Sequence, residues 1–385
     1  MTDFEYHNPT RIFFGKDQLQ KIAFQIPKNT KVMLLYGGGS IKKNGVYDNV
    51  KKALAGYDIM EFGGIEPNPS YETCMKALEI VKSNNIGFLL AAGGGSVIDA
   101  TKFIGAAALF TQGDPWKILS ENIPVAASLP IGAILTLPAT GTEMNGNSVI
   151  SKNSTQEKLA FSSVHSFPKF SVLLPDAAGS LPKNQVANGV VDAFVHVIEQ
   201  YLTYPSNSPI QDRFAEAVLL TLIEEGPKAY ANPADYESMA NLMWSATMAL
   251  NGLIATGVPG DWSVHMIGHE LTAFHGIDHA RTLAIVLPGL WKVMRNEKKQ
   301  KLLQYGERVW KISEGTDDER VDAIIARTVG FFESLGIKTH LSDYNVPRET
   351  IGKIVNRFEE RKQLSIGDRG LITPAVTRRV LEVQM

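Results

Sequence analysis

Two short apolar runs in this chain end at the same four-residue turn. Lys31-Val-Met-Leu-Leu-Tyr36 runs into Gly37-Gly38-Gly39-Ser40, and Gly87-Phe-Leu-Leu-Ala-Ala92 runs into Gly93-Gly94-Gly95-Ser96. A brief, continuously apolar segment bounded by glycine is what a strand buried on both faces of a parallel sheet requires. Helix-length amphipathic stretches lie between these runs: Gly45 to Leu54, then Ser70 to Ser83 with Ser70 placed as an N-cap. Ile59-Met-Glu-Phe62 reads as a further strand, ending in the turn-rich Gly63-Gly64-Ile65-Glu66-Pro67-Asn68-Pro69. Such alternation restricts the first half to βαβ units and a mainly parallel sheet.

After Leu181-Pro182 the pattern changes. Residues 185–201, 209–225, 235–255, 262–274, 280–295 and 300–314 carry helical spacing, and period-two runs are almost absent. A chain of 385 residues can bury two cores. The expected division is an α/β domain, residues 1–182, followed by an all-α domain, residues 183–385.

Composition narrows the function classes. A formal net charge of −2 offers no electrostatic case for nucleic acid or an anionic membrane. The one basic run, Arg295 to Lys301, reads as the cap on the end of a solvated helix. No apolar run reaches the ~20 residues needed to span a bilayer. The N-terminus reads without a signal peptide. The single cysteine, Cys74, excludes an intramolecular disulfide and reads as a helix packing residue in a reducing compartment, so the expected location is the cytoplasm.

The glycine turns point to a nucleotide. Gly94 and Gly95 let the backbone approach a pyrophosphate, and the following helix start supplies N–H donors. Ser96 and Asp99 are placed to bind ribose hydroxyls or to cap that helix. The earlier turn, Gly37, Gly38, Gly39 and Ser40, is followed by two lysines and carries no carboxylate to repel a 2′-phosphate. It therefore favours NADP(H) over NAD(H). Leu135 to Glu143 presents three hydroxyls, Thr136, Thr140 and Thr142, to a cofactor. The competing readings are ordinary glycine turns and an ST-turn without ligand.

Histidine placement suggests a metal. Asp192 and His196 are spaced i, i+4 on one helix face. Four of the eight histidines, His265, His269, His275 and His279, lie close together further on. Imidazole with carboxylate suits Zn²⁺ or Fe²⁺ rather than Mg²⁺ or Ca²⁺. Glu270 follows the second histidine of its pair, so the zincin pattern does not apply. Spacing alone leaves open which histidines would be ligands, or whether all are satisfied structural residues.

Gly-Gly-Gly-Ser-Val-Ile-Asp-Ala-Thr-Lys (93–102), Asn-Gly-Val-Val-Asp-Ala-Phe-Val-His (188–196) and the His265–His279 stretch resemble the iron-containing (group III) alcohol dehydrogenases. The similarity runs from Thr10-Arg-Ile-Phe-Phe-Gly15 to the C-terminal helices. It is nearest to the branch of NADPH-dependent aldehyde reductases, also called butanol dehydrogenases. This resemblance implies a dehydroquinate synthase-like architecture: a dinucleotide-binding α/β domain, a helical metal-binding and substrate domain, and an active site in the cleft between them. It implies Asp192, His196, His265 and His279 as metal ligands, His269 as a pocket histidine, and Asn68 and Lys158 as cofactor contacts, with Lys158 reaching the nicotinamide ribose. Thr136 to Thr142 departs from the commoner family wording by its central Leu-Pro. A homodimer formed through the N-terminal segment, and zinc in place of iron, are also implied.

The expected reaction is reversible reduction of short- to medium-chain aldehydes to primary alcohols with NADPH and one divalent ion. Rival readings are a dehydroquinate-synthase-like lyase or an NAD-dependent polyol dehydrogenase on the same scaffold, and a non-enzymatic nucleotide-binding module. The lyase needs many basic residues around a phosphorylated acid, whereas the pocket helices offer Trp244, Trp262 and Phe274. A non-enzymatic module gives no reason for four metal ligands.

Overall fold

Each apolar run that meets a glycine turn is a strand, and the two strands are direct neighbours. The computed structural model describes all residues, 1–385. Eight strands are present: β1 (Arg11–Phe14), β2 (Val32–Tyr36), β3 (Ile59–Phe62), β4 (Phe88–Gly93), β5 (Ile131–Leu135), β6 (Asn147–Lys152), β7 (Glu157–Ser162) and β8 (Phe170–Leu173). Six form one sheet in the order β1-β8-β5-β4-β2-β3, with every pairing parallel. The order reverses at β2: the chain leaves β2 for β3 on one side, then returns to place β4 on the other. In open α/β sheets ligands bind outside the carboxyl ends of the strands at such a reversal.

Alternating side chains explain the burial. Val32, Leu34, Phe88, Leu90, Ile134, Phe170 and Val172 join one core with Ile22 and Val50 from the covering helices. β4 is buried along its whole length, as its unbroken apolar sequence demands. The Tyr71–Ser83 helix begins where Ser70 accepts a hydrogen bond from the Thr73 N–H, the cap expected from sequence. β6 and β7 form a separate antiparallel pair.

The chain divides into two compact units. One comprises residues 7–182 with 232–247; the other comprises residues 1–6, 183–231 and 248–385. The segment 232–247 carries most of the helix Tyr236–Ala249, which periodicity grouped with the C-terminal helices. Within the α/β unit its Trp244 ring packs edge-on against Phe14, and Lys16 lies over the Tyr236 ring. The second unit is built from helices, including Lys183–Tyr201, Pro209–Ala231, Ser263–His275, His279–Val293, Arg295–Tyr305, Asp317–Ser334, Glu349–Glu360 and Pro374–Glu382.

Two expectations fail here. Residues 300–314 do not form one helix: the helix starts at Arg295, passes into a π turn at Gly306–Trp310, and stops where Lys311 turns left-handed at φ +60°. The basic run is therefore the beginning of a helix, and it is only partly solvated. Lys298 is buried on Asp261 at 2.6 Å, and Lys301 is buried on Asp212 at 2.7 Å. Charges spaced i, i+3 face inward together because acidic partners receive them, Asp212 on the Pro209–Ala231 helix and Asp261 in the loop before Ser263–His275. No helix is long and apolar enough to cross a membrane.

Candidate functional site

Sheet register gathers the candidate nucleotide residues. Tyr36 pairs with Ala92, and Gly93 pairs with Leu135. The turns after β2, β4 and β5 therefore leave the sheet side by side at the reversal point. Gly39 has φ +92°, a left-handed conformation that favours glycine. At Gly95 a Cβ would lie 2.5 Å from Thr140 Oγ1, so glycine is what lets the turn after β5 pack against the start of the Gly95–Leu109 helix. No side chain caps that helix, and Ser96 on its first turn is half-buried. This leaves first-turn N–H groups to face an anion.

Other candidates are engaged with one another. Asp99 is buried: its Oδ1 accepts from the Thr142 hydroxyl at 2.6 Å and its Oδ2 from the Val149 N–H at 3.0 Å. Lys102 donates to the Thr142 hydroxyl at 2.7 Å and to the Asn145 and Asn147 carbonyls at 2.8 Å each. Burial pushes this lysine down to about 8. Asp99 and Thr142 thus hold the 140–149 segment in place. Thr136 is buried at the end of β5, and Thr140 Oγ1 accepts from the Thr142 N–H at 3.4 Å. Lys158 on β7 and Asn68 meet, with Nζ donating to Oδ1 at 2.9 Å. The contact is possible because the Ser151 N–H donates to the Pro69 carbonyl at 2.9 Å, tying the hairpin to the turn that follows β3.

One carboxylate escaped the sequence argument about the first turn. Glu61, near the end of β3, accepts from the hydroxyls of Tyr47 at 2.7 Å and Tyr36 at 3.4 Å, and pairs with Lys51 at 3.4 Å. Burial alone would raise its pKa, yet the hydrogen bonds from Tyr47 and Lys51 hold it below the usual range. Lys42 sits over the Tyr36 and Tyr47 rings, 4.9 Å from each. The missed signal was spacing: an acidic residue at the end of the strand after a glycine turn.

The helical unit brings the histidines together. Asp192 and His196 project from one face of Lys183–Tyr201, His265 from Ser263–His275, and His279 from the first turn of His279–Val293. Asp192 Oδ1 lies 3.8 Å from His196 Nε2 and 3.7 Å from His279 Nε2. The His196 and His265 rings stack at 4.7 Å, and those of His265 and His279 stand 5.2 Å apart. Ligand atoms of Asp192, His265 and His279 all fall within 4.8 Å of one another. His269 flanks them, its ring 5.0 Å from that of His279, whereas His275 is exposed and bonds Thr350 at 2.9 Å. Trp262 borders the cluster, 5.5 Å from the His265 ring; Phe274 instead stacks under Arg357 at 3.9 Å.

The donor set fits a divalent transition ion. Burial pushes His196 down to about 4, so its imidazole is neutral near pH 7, the form that ligates. Its Nδ1 is buried without a hydrogen-bond partner. Three imidazoles and one carboxylate on three helices, with ring separations near 5 Å, are soft and compact enough for Fe²⁺ or Zn²⁺.

Glu199 is the residue that sequence reasoning passed over here. Its Oε1 accepts from the Val264 N–H at 2.7 Å and its Oε2 from the His265 N–H at 3.2 Å and from His265 Nδ1. Burial, with the Asp261 charge adding, raises its pKa well above the usual range; the two backbone N–H groups and Lys298 pull the other way. Its position gave a usable signal, since residues 192, 196 and 199 share one helical face.

Comparison with known proteins agrees with this geometry. The chain is 55% identical over 384 residues to the NADPH-dependent aldehyde reductase YqhD of Escherichia coli (strain K12), covering 99% of each chain. It is 41% identical over 362 residues to a probable NADH-dependent butanol dehydrogenase 1 of Bacillus subtilis (strain 168), covering 93% of each. The crystal structure of E. coli K-12 YqhD superposes with a TM-score of 0.98 at 54% identity, covering 100% of this chain and 99% of that one. Family models for iron-containing alcohol dehydrogenase match residues 9–175, and for the C-terminal part of the Fe-containing alcohol dehydrogenase family residues 186–365. With both models matched along most of its length, the chain belongs to the iron-containing alcohol dehydrogenase family.

Proposed function

We propose that this protein is a metal-dependent oxidoreductase that reduces short- to medium-chain aldehydes to primary alcohols with NADPH. The observation that carries the reading is the convergence of Asp192, His265 and His279, with His196 stacked against them, in a chain 55% identical to an NADPH-dependent aldehyde reductase. NADP(H) and one divalent ion are its cofactors, and Fe²⁺ fits the family. Residues 1–182 are the proposed dinucleotide-binding domain and residues 183–385 the metal-binding and substrate domain.

When bound, NADPH supplies the hydride and the cation supplies the Lewis acidity that polarises a carbonyl. Asp192, His196, His265 and His279 would hold the cation, the single carboxylate leaving one positive charge uncancelled. Gly94, Gly95 and Ser96 would receive the pyrophosphate at the uncapped helix start, and Gly37 to Ser40 the adenosine ribose phosphate. Tyr47 and Lys51 hold the Glu61 carboxylate, and Lys42 adds positive charge beside it, which supports tolerance of a 2′-phosphate. Lys158, steadied by Asn68, would reach the nicotinamide ribose; Thr136, Thr140 and Thr142 would shape that side of the site. His269 is the proposed donor of the proton that completes the alcohol.

The homodimer is proposed as well, supported by the family resemblance and by the unpaired outer edge of β1. A cytoplasmic location is supported by the free, buried Cys74 and by dependence on the intracellular NADPH pool. Steady-state assays with butanal separate the readings: NADPH turnover at least ~10-fold more efficient than NADH supports the proposal (a difference of ~1.4 kcal/mol). A preference for NADH, or no aldehyde reduction, overturns it.

A further inference from the structure

The four residues that converge on the ion position come from the starts of two helices, His265 and His279, and from the middle of a third, Asp192 and His196, so something must fix their mutual register. The side chain placed to do so is Glu199. It belongs to the Lys183–Tyr201 helix, which carries Asp192 and His196, yet both its oxygens are spent on the helix that carries His265. Oε1 takes the Val264 N–H, while Oε2 takes the His265 N–H and faces His265 Nδ1. Ser263–His275 has no capping side chain at its own N-cap residue, Trp262, which is left-handed at φ +61°. A carboxylate from a different helix therefore does the capping.

The anchorage continues behind Glu199. The Asp261 N–H donates to the Glu199 carbonyl at 2.8 Å, and Asp261 Oδ1 accepts from the Ser263 N–H at 3.1 Å. Lys298 holds the other Asp261 oxygen at 2.6 Å and the Leu202 carbonyl at 2.9 Å. Glu199 is 2% exposed, so its acceptors have no water to exchange with.

We infer that Glu199 is a positioning residue for the metal centre: it accepts the His265 Nδ1–H, fixing the tautomer that presents Nε2 to a cation, and holds the start of the His265 helix against the helix bearing Asp192 and His196. This rests on the reading of Asp192, His196, His265 and His279 as the cation site. A metal-bound histidine whose other nitrogen meets a carboxylate is a stronger and better-oriented ligand.

The test is Co²⁺ titration of the full-length, chelator-stripped protein, followed by visible absorption and by fluorescence competition. Glu199→Gln should weaken Co²⁺ binding about 10- to 100-fold and shift the Co²⁺ ligand-field bands. Glu270→Gln serves as the structural control, because Glu270 lies on the His265 helix but pairs with Arg357 at 2.8 Å and Arg361 at 2.6 Å. It should lower the melting temperature while leaving Co²⁺ affinity within about twofold of wild type (~0.4 kcal/mol). Unchanged affinity and spectrum in Glu199→Gln would refute the inference, as would an equal loss of affinity in Glu270→Gln. If Glu199→Gln does not fold, Glu199→Asp keeps the charge but withdraws it by one methylene, and wild-type affinity there is again a refutation. Failure of the underlying site looks different: the wild type would bind Co²⁺ no better than His265→Ala.

Discussion

Lys158 and Asn68 stand 90 residues apart in the chain, yet the lysine ammonium donates to the asparagine Oδ1 at 2.9 Å. A buried lysine held in one direction is a pre-set donor for a sugar hydroxyl. Lys158→Ala should raise KM for NADPH about 10-fold, the equivalent of one charge-assisted hydrogen bond. Asn68→Ala should raise it less, since the lysine stays but loses its guide. Cofactor titrations by NADPH fluorescence decide this, and unchanged affinity in Lys158→Ala removes the residue from the cofactor site.

Removal of the ion should silence the enzyme reversibly. Chelation, or His265→Ala, should reduce kcat/KM by at least ~10³-fold, in line with several kcal/mol of charge stabilisation. Metal content measured on anaerobically prepared protein should fall to background in Asp192→Ala. Full turnover by rigorously metal-free protein contradicts this.

Gly95 tests the phosphate turn. A Cβ there meets Thr140 Oγ1 at 2.5 Å and Cγ2 at 2.8 Å, so Gly95→Ala must push the 140–149 segment away. The expected result is a several-fold rise in KM for NADPH at little cost in melting temperature. Adding Thr140→Ala removes the obstruction and should restore most of the affinity; strict additivity of the two changes would show that the contact does not matter.

Asp261 and Lys298 form a buried pair, so Asp261→Asn should destabilise the fold, by less than the ~3–5 kcal/mol of a wholly orphaned buried charge, because Asp368 still faces Lys298 at 3.9 Å. Burial raises the Asp261 pKa, but the Lys298 charge and the hydrogen bonds from Lys298 and Ser263 outweigh it and leave the pKa below the ordinary value. The stabilisation is therefore present above the unfolded-state pKa of about 3.9 and is lost as pH falls through the lower folded value. Urea unfolding at several pH values should show the gap between wild type and Asp261→Asn constant near pH 7 and shrinking below pH ~4. A gap that grows on acidification would reverse the sign of this pairing.

Cys74 should be inert. It is buried in the Tyr71–Ser83 helix and burial pushes its pKa up. Thiol reagents should label it only after denaturation; rapid native labelling would mean that this helix opens.

Much of the α/β architecture is legible because β2 and β4 are apolar throughout and end in glycine, and because Ser70 is a cap that only a helix start needs. β6 and β7 were not legible, since Asn147–Lys152 and Glu157–Ser162 mix polar and apolar residues without a glycine turn. The inward turn of Lys298 and Lys301 was hidden for another reason: their partners, Asp261 and Asp212, are remote in sequence. At the candidate metal site the i, i+4 spacing displays Asp192 and His196. Nothing local pairs them with His265; spacing puts Glu199 on their face, but not which backbone N–H groups it receives. Likewise Asp99 and Thr142 read as ligand-facing groups by type, and nothing local foretells the hydrogen bond between them at 2.6 Å.

Because residues 232–247 complete the α/β unit, the polypeptide passes from one unit to the other four times between Met1 and Met385. During synthesis the sheet-bearing half cannot finish folding when Pro182 leaves the ribosome; it must wait until Thr247 has emerged, with the intervening helices already outside. A fragment ending at Pro182 would lack the partner of Phe14 and expose that ring. Separate expression of the two halves should therefore yield insoluble material, because a cut after Pro182 takes 232–247 from the first unit and a cut after Thr247 takes 183–231 from the second.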